Sequence, residues 1–194
     1  MGRPNLSEAR RAELLPAVAA TFAEFGYRRT TTAVLAERCA VQETILYRLW
    51  ADKRAMFTAS IEYVALHSQQ IWAGELQARS SAKTTAEAVL DYEATHLGEF
   101  GLYRILFAGL SETDDPVISA ALRKAYASFH TFLRDRIREH RRSRAARGLP
   151  AAELAAWAML GLGTAVNLGR ELDLLSAKQR AELLRTVGRQ LLGS

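Results

Sequence analysis

Residues 31–39 (TTAVLAERC) and 42–49 (QETILYRL) each carry apolar side chains at helical spacing, and only Ala40 and Val41 separate them. Two helices of about eight residues joined so tightly must cross at a steep angle, which is the helix-turn-helix arrangement. The threonines that open the first segment can cap it, because a hydroxyl oxygen accepts from the free amides of an opening turn. Gln42, which opens the second, is a poor capping residue. Few packings are open to a chain that contains this pair.

The rest of the chain has the same texture. Helical spacing recurs from end to end and nothing alternates as a strand does, so the expected class is all-α with about nine helices. Residues 1–54 are expected to form a three-helix helix-turn-helix domain, and residues 55–194 a larger helical domain. The first helix should open near Asn5 or Ser7, since Asn5 and Glu8 have the spacing of a capping box. Its apolar face is Leu15, Val18, Phe22 and Phe25. Pro16 lacks an amide donor and crowds the preceding turn, so the sequence predicts a kink there or a later helix start. Gly26 should end the helix.

Further signals punctuate the remainder. Asp52 should cap a long helix, RSSAKTT is a polar break, and helices are predicted at about 84–97 and 100–110. Asp114, Asp115 and Pro116 form a strong start signal for a helix running towards Gly148. Another should run from Pro150 to about Arg170, and Ser176 with Gln179 marks the start of the last. There are no repeats and no long linker.

Composition narrows the function classes. Apolar residues make up 49% and charged residues 24%, which is globular usage. No stretch approaches the roughly 20 apolar residues of a membrane span, and the start MGRPNLSEARR lacks the apolar core of a signal peptide. A soluble cytoplasmic protein with no membrane partner is expected. The net charge of +5 favours a polyanionic partner only weakly. Up to residue 54, nine Lys and Arg face six acids, and a second run from Arg134 to Arg147 holds seven arginines. That second run is either a solvated helix end or a nucleic-acid patch.

Catalytic chemistry finds little to work with. The four histidines, at 67, 96, 130 and 140, lack metal-ligand spacing, and Cys39 has no activating base nearby in sequence. Glu93 and His96 stand one turn apart, as plain surface pairs often do. The GLG at 161–163 follows no strand, so it is not a dinucleotide-binding loop. No enzyme activity, metal or cofactor is expected.

Residues 11–57 are similar to a known domain. Phe22-x-x-Phe25-Gly26-Tyr27 at the end of the first helix is followed by Thr30-Thr31, Leu35-Ala36, Val41, Leu46-Tyr47 and Lys53. In that order and spacing they resemble the DNA-binding domain of TetR-type regulators. The resemblance, with helix-turn-helix geometry, implies a third helix lying in the major groove of operator DNA, with Gln42, Glu43 and Thr44 facing base edges. It implies that the Tyr47 hydroxyl holds a phosphate, that Arg48 reaches phosphate or base, and that Thr31 caps while meeting the backbone. Lys53 suits a phosphate at the start of the fourth helix. Arg28 and Arg29 are either phosphate contacts or a solvated turn, and Arg3 sits in a tail like the minor-groove arms of some relatives. The chain departs from the family pattern at Ala40, Gln42, Thr44, Ile45 and Trp50. Glu43, an acid at a position that often faces DNA, either accepts from a cytosine amino group or repels phosphate.

One short reading helix makes few contacts, so a homodimer reading two half-sites is expected. Residues 154–169 are apolar almost all round, as in a helix buried in a core or an interface. With residues 177–192 they should form the dimer contact, through Trp157, Gly161, Ala165, Leu168, Leu184, Val187 and Leu191, with Gly163 and Gly169 also allowing close approach. Trp72, Tyr92, His96, Tyr103, Phe107, Tyr126, Phe129 and His130 are either core residues or, with Asn167, the lining of a mostly apolar pocket. The resemblance implies that a small apolar or aromatic effector bound there alters the separation of the DNA-reading heads. The expected function is a ligand-responsive repressor on a palindromic operator. The alternative is a helical adaptor protein without sequence-specific DNA binding.

Overall fold

The computed structural model describes residues 6–78, 85–98, 101–145 and 148–193. Within them run α1 (Leu6–Arg29), α2 (Thr32–Arg38), α3 (Glu43–Leu49), α4 (Lys53–Ala78), α5 (Thr85–His96), α6 (Arg104–Leu110), α7 (Pro116–Ser143), α8 (Ala152–Glu171) and α9 (Ala177–Leu192). Among the described residues these nine helices are the only regular structure, and the all-α expectation holds. None of them is long and apolar enough to cross a membrane.

Local signals set the helix starts. Thr31 Oγ1 accepts from the Val34 amide at 3.2 Å, and Asp52 Oδ1 accepts from Ala55 at 2.7 Å. Asp115 Oδ1 accepts from Val117 at 2.8 Å and Ile118 at 3.2 Å, with Pro116 in the position that needs no amide. Ser176 and Gln179 close a full capping box on α9. Each cap satisfies amides that the helix itself cannot, typically worth about 1 kcal/mol.

The first helix corrects two expectations. It starts at Leu6 and continues through Pro16, and its non-helical residue is Gly26, at φ 74° and ψ 174°. Pro16 and Ala12 are both exposed, so water can serve the Ala12 carbonyl that loses its donor. Gly26 lies in a region that essentially only glycine enters, and the helix resumes for one short turn after it. The buried stripe uses Leu14, Val18, Ala19, Thr21 and Phe22, so Leu14 takes the place expected of Leu15. Asn5 and its capping box lie outside the described residues, as does nearly all of the RSSAKTT break.

Contacts divide the chain into two units, Met1–His67 with Phe100–Ala125, and Ser68–Glu99 with Tyr126–Ser194. In the first, α1 packs on α2, α3 and α6. Its core includes Phe22, Leu35, Leu46, Met56, Phe57 and Ile61, all fully buried. Phe22 meets Phe57 edge-on with ring centres 5.0 Å apart, and Tyr27 lies 4.8 Å from Phe57. Arg11 Nε donates to the Leu49 carbonyl, tying α1 to the end of α3.

In the second unit α9 packs on α5 and α8. Leu90, Ile137, Ala155, Ala156 and Leu192 form one core cluster, and Ala94, Val166 and Leu184 another. A Cβ at Gly188 would stand 2.5 Å from the buried Leu90 side chain, so α9 comes this close to α5 only with a glycine there.

Candidate nucleic-acid interface and effector region

The third helix presents two different faces. Leu46 and Leu49 are buried, and Ile45 is half-buried. Gln42, Glu43, Thr44, Tyr47 and Arg48 are exposed, with Tyr47 half accessible at 50%. The apolar residues that dock α3 thereby orient five polar or aromatic side chains outward. Gln42 is the N-cap but makes no side-chain capping bond, in keeping with its poor capping chemistry. Ala40, in the turn, holds a positive φ of 51°.

Two of the exposed residues are linked by one that the sequence reading passed over. The Thr32 hydroxyl donates to Glu43 Oε2 at 2.6 Å, and Thr32 Oγ1 accepts from the Tyr47 hydroxyl at 3.3 Å. The run Thr30-Thr31-Thr32 was the available signal, but the bonds come from residues 11 and 15 positions away. Thr31, exposed, already uses its oxygen as the α2 cap, which leaves its hydroxyl proton able to donate elsewhere.

The flanking cations are differently placed. Lys53, at the start of α4, donates to the Tyr27 carbonyl at 3.1 Å and sits 4.5 Å over the Tyr27 ring. Arg28 pairs with Glu112 at 2.8 Å, and Arg29 donates to the Phe25 carbonyl at 3.0 Å. Arg3 lies outside the described residues.

The arginine run near the end of α7 is occupied within its own unit. Arg136 pairs with Glu139 at 3.0 Å, Arg138 pairs with Glu153, and Arg144 reaches Glu87 at 3.3 Å. Arg141 donates to the Leu191 carbonyl at 2.7 Å, serving the end of α9. This matches the helix-end reading of the run; Arg147 is outside the described residues.

The residues expected around an effector fall into both units. Tyr103 and Phe107, 5.6 Å apart and edge-on, lie in the first, with Tyr103 as the N-cap of α6. Trp72, Tyr92, His96, Tyr126, Phe129 and His130 lie in the second. Trp72 is buried against Phe129 and Phe132, with centroids 5.8 and 5.0 Å away. Its indole N–H donates to Glu93 Oε1 at 2.6 Å. Glu93 is therefore no plain surface partner of His96: burial pushes its carboxyl pKa up, against the lowering effect of the Trp72 bond and of His96. Tyr92 and His96 stack at 4.3 Å. Burial likewise raises the Tyr126 phenol. His130 bonds the Glu153 carbonyl at 3.0 Å and lies 4.9 Å from the Trp157 ring. Asn167 is buried with its Oδ1 unpartnered.

The proposed contact helices also separate. Along α8 and its C-cap residue, Leu154, Trp157, Gly161, Ala165, Leu168 and Leu172 are exposed at steps of three and four residues, one continuous stripe. Val187 and Leu191 are half-buried. Leu184 is only 4% exposed and packs with Ala94 and Val166, so it is a core residue of its own unit rather than part of an outward face. Gly161 and Gly163 have open space where a Cβ would stand, whereas Gly169 is crowded by Leu175. Among the described residues no group of three or more His, Cys, Asp or Glu could hold a metal ion.

Residues 14–59 match the family model of the bacterial regulatory proteins of the tetR family. The fold is that of known regulators. A TetR-family transcriptional regulator from Cytophaga hutchinsonii superposes with a TM-score of 0.79 at 18% identity, over 98% of this chain and 96% of that one. Reduced NemR from E. coli gives 0.76 at 18% identity, over 91% and 95%. SmeT in complex with triclosan gives 0.71 at 19% identity, over 94% and 90%. No curated protein matches the chain closely enough to count as a relative.

Proposed function

We propose, from a chain that carries a tetR-family domain and the fold of TetR-family regulators, a ligand-responsive transcription repressor that binds a palindromic operator as a homodimer. The observation that carries this reading is the exposed face of α3. A helix docked by Leu46 and Leu49 turns Gln42, Glu43, Thr44, Tyr47 and Arg48 away from the protein. Side chains of these kinds meet base edges and phosphates in the major groove. Thr31 and Lys53 flank the face and supply a hydroxyl and an ammonium for the phosphate backbone. Arg28, engaged by Glu112, is the weaker candidate for that role.

The exposed stripe of α8 supports a twofold contact. Leu154, Trp157, Leu168 and Leu172 are each at least half accessible in the single chain, and apolar area left open in this way favours association. The aromatic cluster of Trp72, Phe129 and Phe132, with the Glu93 carboxyl bonded to the Trp72 indole, supports a largely apolar effector in the second unit. SmeT, a protein of the same fold, is seen in complex with triclosan.

The test is a mobility shift with DNA flanking the protein's own gene, across a salt series. A DNA-binding dimer loses affinity steeply as salt rises. Tyr47→Phe combined with Lys53→Ala should abolish the shift, and equal binding by the double variant refutes the site. Thermal shifts against a metabolite panel test the sensing half, since a ligand of the folded state raises its stability by mass action.

A further inference from the structure

Resting on the DNA-reading role of α3 proposed above, we propose that Glu43 selects a cytosine in the bound site and that Thr32 is the positioning residue that aims it. Glu43 is the first residue of α3 and is exposed. An acid there is repelled by every phosphate, so it lowers affinity unless one particular base repays it. What distinguishes this acid is that it is already held. The Tyr47 hydroxyl donates to Thr32 Oγ1 at 3.3 Å, and the Thr32 hydroxyl donates to Glu43 Oε2 at 2.6 Å. The protons of this chain all point one way, towards the carboxylate, and Oε1 is left able to accept.

A carboxylate can only accept hydrogen bonds. In the major groove guanine and thymine offer it acceptors, whereas cytosine N4 and adenine N6 offer donors. The adenine amino group stands beside N7, an acceptor that a second carboxylate oxygen would face without a proton between them. Cytosine has no such acceptor on its own edge. Fixing the rotamers of Glu43 before binding also removes an entropy cost that a free glutamate would meet on the DNA. Specificity then comes from a difference: one base satisfies the acid and the others leave it desolvated and unpaired.

The experiment is selection of binding sites from a random-sequence duplex pool by the full chain, followed by affinity ratios on single-base variants of the winning site. Wild type should fix one cytosine per half-site, with discrimination against other bases of roughly 5- to 150-fold. Glu43→Gln should move that position towards adenine, which the amide can bond through N6 and N7, while leaving the other positions as they were. Thr32→Val should reduce the cytosine discrimination several-fold, and Thr32→Ser, which keeps the hydroxyl, should restore it. An identical selected site for Glu43→Gln overturns the cytosine assignment. Unchanged discrimination in Thr32→Val overturns the positioning role. If wild type and variants alike enrich no sequence, the DNA-reading function itself falls and takes this proposal with it.

Discussion

The Lys53 ammonium lies 4.5 Å over the ring of Tyr27 and donates to the carbonyl oxygen of the same residue at 3.1 Å. Tyr27 follows the break at Gly26, and its ring packs on Phe57, so one side chain ties the start of α4 to the end of α1. Lys53 is therefore both a structural clamp and a candidate phosphate ligand. Lys53→Ala should lower stability by about 1 kcal/mol, the usual scale of a partly exposed cation–π contact with a hydrogen bond. It should also reduce the slope of log affinity against log salt by about one. Tyr27→Leu removes the ring but keeps the charge, and should lower stability without changing that slope. Urea midpoints and a salt series separate the two roles; a slope unchanged by Lys53→Ala would leave only the clamp.

Ala40 occupies the left-handed region at φ 51°, in the turn between α2 and α3. An L-residue with a Cβ is strained there by roughly 1–2 kcal/mol, while glycine is not but loses more chain entropy on folding. Ala40→Gly should thus stabilise the protein by about 0.5–1 kcal/mol, net of that entropy. The complementary change, Gly26→Ala at φ 74° and ψ 174°, has open space for its Cβ but a forbidden backbone, and should cost about 1–3 kcal/mol. Equilibrium denaturation of both variants checks the signs. Destabilisation by Ala40→Gly would mean that the turn gains more from the alanine methyl than its backbone loses.

What could be read ahead of the structure was what depends on neighbours in sequence. Thr31, Asp52, Asp115 and Ser176 cap helices three residues away at most, and their helices begin where those residues stand. Pro16 misled because its cost depends on whether water reaches the Ala12 carbonyl, a matter of burial rather than order. Thr32 was missed for a similar reason, since its partners arrive with α3. An almost wholly apolar α8 and an amphipathic α9 did not say which side faces inward. The fold puts Leu184 inside and Trp157 outside. Glu93 looked like a surface residue until Trp72, 21 positions away, came to meet it.

The exposed stripe on α8 gives a sharp test of self-association. Trp157 and Leu168 are 53% and 50% exposed, so replacing each with glutamate removes apolar surface from the outside without opening a cavity. Trp157→Glu with Leu168→Glu should convert a dimer to a monomer in sedimentation equilibrium while retaining helical circular dichroism. Leu184→Ala acts from inside the unit, where loss of a buried leucine typically costs about 2–5 kcal/mol. It should lower the urea midpoint and leave the contact face itself intact. Wild-type protein that sediments as a monomer would remove the stripe from the dimer reading.

Glu93 should make stability depend on pH in an unusual direction. Burial raises its pKa above the ordinary value of 4.5, outweighing the indole N–H of Trp72 and the charge of His96. The folded protein therefore keeps a proton on Glu93 over a range where the unfolded chain has lost it. Stability from this group is fully present below the unfolded value and falls as pH rises through the folded one. Glu93→Gln keeps an oxygen for the Trp72 indole but cannot ionise. The variant should gain on wild type as pH rises above about 4.5, until Glu93 has ionised in the folded protein as well. Paired urea midpoints from about pH 4 to 8 measure that difference, and taking the difference cancels the titration of every other group. A gap that stays constant across the range, or closes as pH rises, would show that the carboxyl ionises as readily in the fold as in the open chain.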